Sequence, residues 1–313
     1  MLYMLHSLVL LQILLFFFGS IERTISMLTI AITNQKGGVG KTTTTYHLAR
    51  AASLRGLRVL VVALDPQGDL SDSLAELEEQ QAGMADALST RSECDLGDVI
   101  VPTNWDRVHL APSGADALAA VRDELVTVAF GRERRLAAQL ETLGDAFDLV
   151  LIDCAPALDT LTANALAVAD GVLVVTQSRL YSASGLAHLL DAVEAARAYY
   201  NPGLRVAGVL VNQHKGRTRQ GAYWLDELST ACRERGLTLL DPPVPDMVAI
   251  SDAAEAGVGL DELVDDLLSE VVPLLDAPGC RNQHVQLHEA PIAGLAHPHR
   301  VEVNHAHLAV ARQ

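Results

Sequence analysis

Residues 28–45 read LTIAITNQKGGVGKTTTT. A short apolar run, LTIAIT, is followed by a glycine-rich turn and then by a stretch that reads as helix from Thr42. The glycines let backbone N–H groups turn inward around a phosphate. The start of the helix adds its partial positive charge. Gly37, Gly38, Val39, Gly40, Lys41, Thr42 and Thr43 are therefore the predicted phosphate cradle. Lys41 can reach the β- and γ-phosphates, and the Thr42 hydroxyl can bind Mg²⁺. The strict pattern G-x-x-x-x-G-K-[ST] has a glycine where this chain has Gln35, and Lys36 follows it. One lysine is enough to hold a nucleotide phosphate, so Lys36 needs its own explanation.

Working outward, short runs of Val, Leu and Ile alternate with helical stretches. Strands are predicted at 28–33, 58–64, 107–111, 149–153, 171–176, 205–212 and 238–240. Helices are predicted at 42–54, 115–128, 132–142, 160–169, 184–198, 221–235 and 260–275. Continuous apolar strands suit a sheet buried on both faces. The fold class is α/β: a single doubly wound, mostly parallel sheet flanked by helices. Ligands in such sheets lie beyond the carboxyl ends of the strands. Asp65 closes the second of these strands, Asp153 the fourth and Asn212 the sixth, all at that end. Asp153, at the tip of LVLID, fits a Mg²⁺ ligand acting through water.

Composition agrees. Of 313 residues, half are hydrophobic and only 4% are aromatic, so the core is built from Ala, Val, Leu and Ile. The net charge of −16 excludes a protein that coats nucleic acid by bulk electrostatics. Any contact with DNA must come from a local patch. The densest basic cluster is Lys215, Arg217 and Arg219, with Arg132, Arg134 and Arg135 a second. Cys94, Cys154, Cys232 and Cys280 are widely spaced with no CxxC pair, which argues against a zinc or Fe–S site within one chain.

The two ends differ from the middle. In 1–26, Leu8 to Phe18 is nearly all apolar, with no positive n-region and no A-x-A site. A misassigned start before Met27 is the expectation, with a membrane anchor as the alternative. The doubly wound domain is placed at 27–276. The tail at 277–313 carries six of the eleven histidines and is predicted to be disordered.

KGGVGKTT at 36–43 resembles the deviant Walker A motif of the ParA/MinD family of P-loop ATPases. VLVVALDPQGD at 59–69 is similar to the Walker A′ stretch of ParA partition proteins, and DLVLIDCAPALDTLTANAL at 148–166 to their Walker B stretch. RVAGVLVNQHKGRTR at 205–219 and VPDMVAISDAAEAG at 244–257 fall where that family has related segments. The resemblance implies a P-loop fold, the cofactors ATP and Mg²⁺, and an ATP-dependent homodimer. In it Lys36 crosses the interface to the phosphates of the other subunit, so Lys36, Lys41 and Asp65 are the catalytic residues. Asp65 would position the attacking water. Asn212 would read adenine, with Pro245 and Asp246 on the other wall of the base site. The family usually has D-x-D-P-Q, and here Ala63 replaces the first acid.

The resemblance further implies non-specific duplex DNA binding by Lys215, Arg217 and Arg219, and a ParB-like centromere-binding partner. Plasmid or chromosome partition in the cytoplasm, at the nucleoid, would be the role. The alternative is a MinD-like ATPase that positions proteins at a membrane. That class needs a basic amphipathic tail helix. The last helical stretch here, LDELVDDLLSEVV, is acidic. A related tyrosine kinase would carry tyrosines in its tail, and none follows Tyr223.

Overall fold

Strand β1 (Leu28–Thr33) has every residue buried, as do β2 (Val59–Leu64), β5 (Leu149–Cys154) and β6 (Gly171–Thr176). Together with β3 (Val101–Pro102), β4 (Val108–Ala111) and β7 (Arg205–Val211) they form one seven-stranded sheet in the order β3-β4-β2-β5-β1-β6-β7. All pairs are parallel except β3–β4 at the edge. The computed structural model describes residues 6, 8, 9, 12, 13 and 27–262, except 79, 180 and 181.

Alternation along each strand feeds two cores. On β2, Leu60, Val62 and Leu64 point into one, and Val59, Val61 and Ala63 into the other. A slip of one residue would swap both sets, so the register is fixed by burial. The first core is covered by α3 (Met84–Leu88), α4 (Leu96–Val99), α5 (Asp116–Thr127), α6 (Arg135–Glu141), α7 (Thr160–Val168) and α8 (Ser182–Tyr199). The second is covered by α1 (Lys41–Ser53), α2 (Asp69–Leu74) and α10 (Val248–Glu255). Helix α9 (Arg219–Glu234) lies beyond β7 and buries only Gly221, Leu228 and Cys232.

Several expectations shift. The stretch 238–240 makes an isolated bridge, Leu239 to Val209, and not a seventh parallel strand. Pro242 and Pro243 follow it and have no N–H to extend the ladder. The helix predicted at 132–142 opens as a 3₁₀ turn, Arg132–Arg134, before α6. Residues 260–262 are helical, and the rest of the stretch predicted at 260–275 lies outside the described residues, as does the tail at 277–313.

The five described residues of the N-terminal extension are helical. Val9 and Ile13 are buried in the second core, and Gln12 Nε2 donates to the Asp241 carbonyl at 2.6 Å. The His6 ring lies 4.8 Å from that of His47 on α1, tilted by 41°. Full burial of two such aliphatic side chains contributes about 3–6 kcal/mol. No helix among the described residues is long and apolar enough to cross a membrane.

Further along α1, Arg50 fixes the end of the described chain. Its guanidinium donates to both Asp261 carboxylate oxygens, at 3.1 and 2.6 Å, and lies 2.6 Å from Glu262 Oε1. It also sits 5.2 Å over the Trp105 ring.

Candidate active site

The phosphate loop leaves β1 at Asn34 and enters α1 at Lys41. Gly38 and Gly40 adopt φ of +69° and +85°, a region L side chains avoid. Gly40 caps α1 with no side chain, so no capping oxygen occupies the end of the helix. Helix N-terminal N–H groups left without a side-chain cap suit an anion, in keeping with the expectation for this turn. Lys41, the first helical residue, is 6% exposed and makes no ion pair among the described residues. Lys36 is exposed, and its side chain likewise has no ion pair among them. Its backbone N–H is held 3.0 Å from Asn34 Oδ1, and Asn34 Nδ2 donates to the Val175 carbonyl on β6 at 2.7 Å.

Asp153, the next-to-last residue of β5, lies beside the loop, because β5 pairs with both β1 and β2. The Thr42 hydroxyl donates to its Oδ2 at 2.8 Å. Burial pushes the Asp153 carboxyl up to about 7; the Thr42 hydroxyl and the Lys41 charge pull it the other way. Burial disfavours the charged form of this acid, a nearby cation would restore it, and the Thr42–Asp153 pair offers hard oxygen donors for one. Together with the buried Lys41 ammonium, the donor set fits Mg²⁺ and a polyphosphate. A cleft of about 450 Å³ lined by Thr42 and Thr43 also carries Asp69, Asp72 and Glu255 in its wall, whose negative charge disfavours an anion there.

Asp65 follows β2 and is half-buried. Its Oδ1 accepts from the Gln67 N–H at 3.0 Å, which fixes the carboxylate through a local turn. Ala63 pairs with Asp153 across the β2–β5 ladder. The acid missing from D-x-D-P-Q would stand next to the Mg²⁺ candidate. Cys154 is buried, and burial raises its thiol far above the ordinary value, so it is an inert packing group.

The remaining predicted residues divide. Asn212 is 5% exposed and reaches the phosphate loop, its Nδ2 donating to the Val39 carbonyl at 2.9 Å. Pro245 bridges to His214, and exposed Asp246 pairs with Lys215 at 3.3 Å. One base-site candidate is thus bonded to one DNA candidate. Arg217 and Arg219 are exposed, with no ion pair among the described residues. Thr218 caps α9, its hydroxyl accepting from Gly221 N–H at 3.0 Å. In the second basic cluster Arg134 is exposed, and the other two arginines are bonded within the fold. Arg135 donates to the Leu88 and Ser89 carbonyls, and Arg132 to Glu133 and the Val126 carbonyl.

Sequence reasoning missed Asn34, Gln177 and Gln213. Gln177 Nε2 donates to the Gly38 carbonyl at 3.0 Å and also meets Gln213 Oε1. Isolated amides at strand tips form no motif, so nothing in the sequence singled them out.

Residues 27–206 match the AAA domain family AAA_31. Sporulation initiation inhibitor protein Soj of Bacillus subtilis is 35% identical over 229 residues, 73% of this chain and 88% of that protein. This chain belongs to the ParA/Soj family of P-loop ATPases. An uncharacterized protein of Mycobacterium tuberculosis H37Rv is 40% identical over 189 residues, 60% of this chain; the match spans 59% of that relative's length. Among solved structures, cobyrinic acid a,c-diamide synthase of Mycobacterium smegmatis, with bound ADP and magnesium, is similar at a TM-score of 0.64. It is 31% identical, covering 79% of this chain and 96% of that one.

Proposed function

We propose that this chain is an Mg²⁺-dependent ATPase whose ATP-bound form is a homodimer that binds duplex DNA without sequence preference and drives plasmid or chromosome partition. The observation that carries the reading is the Thr42–Asp153 pair at the mouth of the glycine loop, with Lys36 exposed on its outer side. ATP with Mg²⁺ occupies Gly37–Thr43, with Lys41 on the β- and γ-phosphates and Thr42 and Asp153 toward the metal. Mg²⁺ neutralises charge on the phosphates when bound. Two protomers facing each other across two triphosphates repel unless a cation is added between them. Lys36 supplies that cation in trans, which links ATP occupancy to dimer formation. Asp65 orients water for attack on the terminal phosphate, and hydrolysis dissolves the dimer.

The DNA surface in this reading is Lys215, Arg217 and Arg219. These lie at the entry to α9, where the helix N-terminus also favours a phosphate. Each protomer offers only a few contacts, so dimerisation makes the binding useful and strongly salt-dependent. The Soj relative and the ParA resemblance favour a ParB-like partner that stimulates hydrolysis, and a cytoplasmic, nucleoid-bound location.

Sedimentation with and without ATP and a mixed-sequence duplex tests the whole. The expected result is a monomer without nucleotide, a dimer with ATP, and co-sedimentation with DNA only when ATP is present. Asp65→Ala should hold the dimer with ATP long after the wild-type dimer has decayed. A monomer in saturating ATP, for both proteins, would sink the reading.

A further inference from the structure

A loop whose N–H groups converge on an anion must turn its carbonyls the other way, and each of those needs a donor. Two of these carbonyls receive side-chain amides from neighbouring strands. Val39 O accepts from Asn212 Nδ2 at 2.9 Å, and Gly38 O from Gln177 Nε2 at 3.0 Å. Both donors are buried, at 5% and 3% exposure. Both stand at the tips of adjacent strands, Gln177 just past β6 and Asn212 just past β7, and the Asn212 N–H is itself tied to Thr176 O at 2.7 Å.

Two further features hold the amides in place. Gln213 takes a left-handed φ of +52°, unusual for a residue with a side chain, and its Oε1 lies against Gln177 Nε2. A methyl group added at Gly40 would run into the Asn212 amide, so this side chain is wedged against the turn.

We infer that Asn212 and Gln177 are positioning residues of the phosphate loop: their amides pin the Val39 and Gly38 carbonyls outward and so hold the loop's N–H groups toward the polyphosphate. This rests on the nucleotide-binding reading above and gives Asn212 a task other than recognising the base. The N–H groups are then preset before the ligand arrives, and no peptide has to reorient on binding.

The two tasks separate by ligand. A base-reading amide matters for ATP and is irrelevant to inorganic tripolyphosphate. A loop-holding amide matters equally for ATP, GTP and tripolyphosphate. Calorimetric titration of the full chain with each, in Mg²⁺, reads the difference. Asn212→Ala should weaken all three by one common factor of about tenfold, the size of a lost amide–carbonyl bond that leaves a buried carbonyl unpaired. Asn212→Asp, which puts an acceptor against an acceptor, should weaken them at least as much. Gln177→Ala, on a different strand, should give the same common-factor loss, and it carries the test if the Asn212 variants do not fold. Loss of ATP affinity with tripolyphosphate unchanged, or unchanged binding of all three by Asn212→Ala and Gln177→Ala, overturns the inference. A wild-type chain that binds neither ATP nor tripolyphosphate overturns the nucleotide reading and the inference with it.

Discussion

The phosphate loop and the basic loop both lie at the carboxyl edge of the sheet, yet they are built oppositely. Around Asn34–Thr45, side chains and carbonyls are tied to β5, β6 and the residue after β7, and Lys41, Asp153, Asn212 and Gln177 are almost wholly buried. Around Lys215–Arg219 every residue is exposed, and among the described residues the one ion pair is Lys215 to Asp246. The first arrangement is one of fixed geometry and leaves little room for change. The second is one of exposed charge and leaves much. Substitutions at the two loops should therefore differ in kind as well as in size.

The largest effect is expected at Lys41. Lys41→Ala removes the buried ammonium and should lower ATP affinity by about hundredfold or more, the cost of one or two charge-assisted contacts of about 1.5–3 kcal/mol each. Calorimetric titration checks it; affinity within a few-fold of wild type would mean the buried loop is not the phosphate seat. Next comes Lys36→Ala. It should leave nucleotide binding to the monomer partly intact and remove the ATP-dependent dimer, as read by analytical ultracentrifugation. A wild-type dimer affinity in this variant would end the trans role.

The basic loop should respond more gently and unevenly. Arg217→Ala and Arg219→Ala should each lower DNA affinity on any sequence and reduce the slope of log affinity against log salt by about 1. Lys215→Ala should do less, because Asp246 competes for that charge in an exposed pair worth about 0–1 kcal/mol. Fluorescence anisotropy at several salt concentrations ranks the three. Equal losses at all three positions would show that the Asp246 pair does not matter.

The smallest effect concerns stability and not ligands. Burial lowers His47 from 6.5 to about 4, and its Nε2 lies 2.8 Å from the Ile250 carbonyl. Between those two values the unfolded chain carries a proton there that the folded chain refuses. Stability is therefore retained above about pH 6.5 and falls as the pH drops toward 4, by up to about 3 kcal/mol. His6, beside it, is held below its ordinary range in the same direction. Thermal midpoints at pH 7.5 and pH 5 should differ, and His47→Gln should shrink the difference. An unchanged difference would assign the acid sensitivity elsewhere.

Much of this was legible in the sequence, for reasons that vary by element. β1 and β6 match the predicted bounds because buried parallel strands are unbroken apolar runs with polar or glycine punctuation. α3 and α4 escaped notice because five and four residues are too few to display a 3.6-residue period. The glycine turn stands out in the sequence because its residue types come at fixed spacing, and the acids at 65 and 153 because each stands at the end of an unbroken apolar run. The amides at 34, 177 and 213 could not, since each acts across strands far apart in the chain. The Lys215–Asp246 pair was hidden for the same reason: two separately chosen candidates turn out to be each other's neighbour.

Helix α1 joins Lys41 at one end to Arg50 near the other, about 14 Å apart at 1.5 Å per residue. The helix is stiff, and Arg50 grips Asp261 and Glu262. A displacement of the phosphate loop has little room to dissipate before it reaches that grip. Asp261 and Glu262 are therefore mechanically in line with the loop, one rigid lever arm away from it.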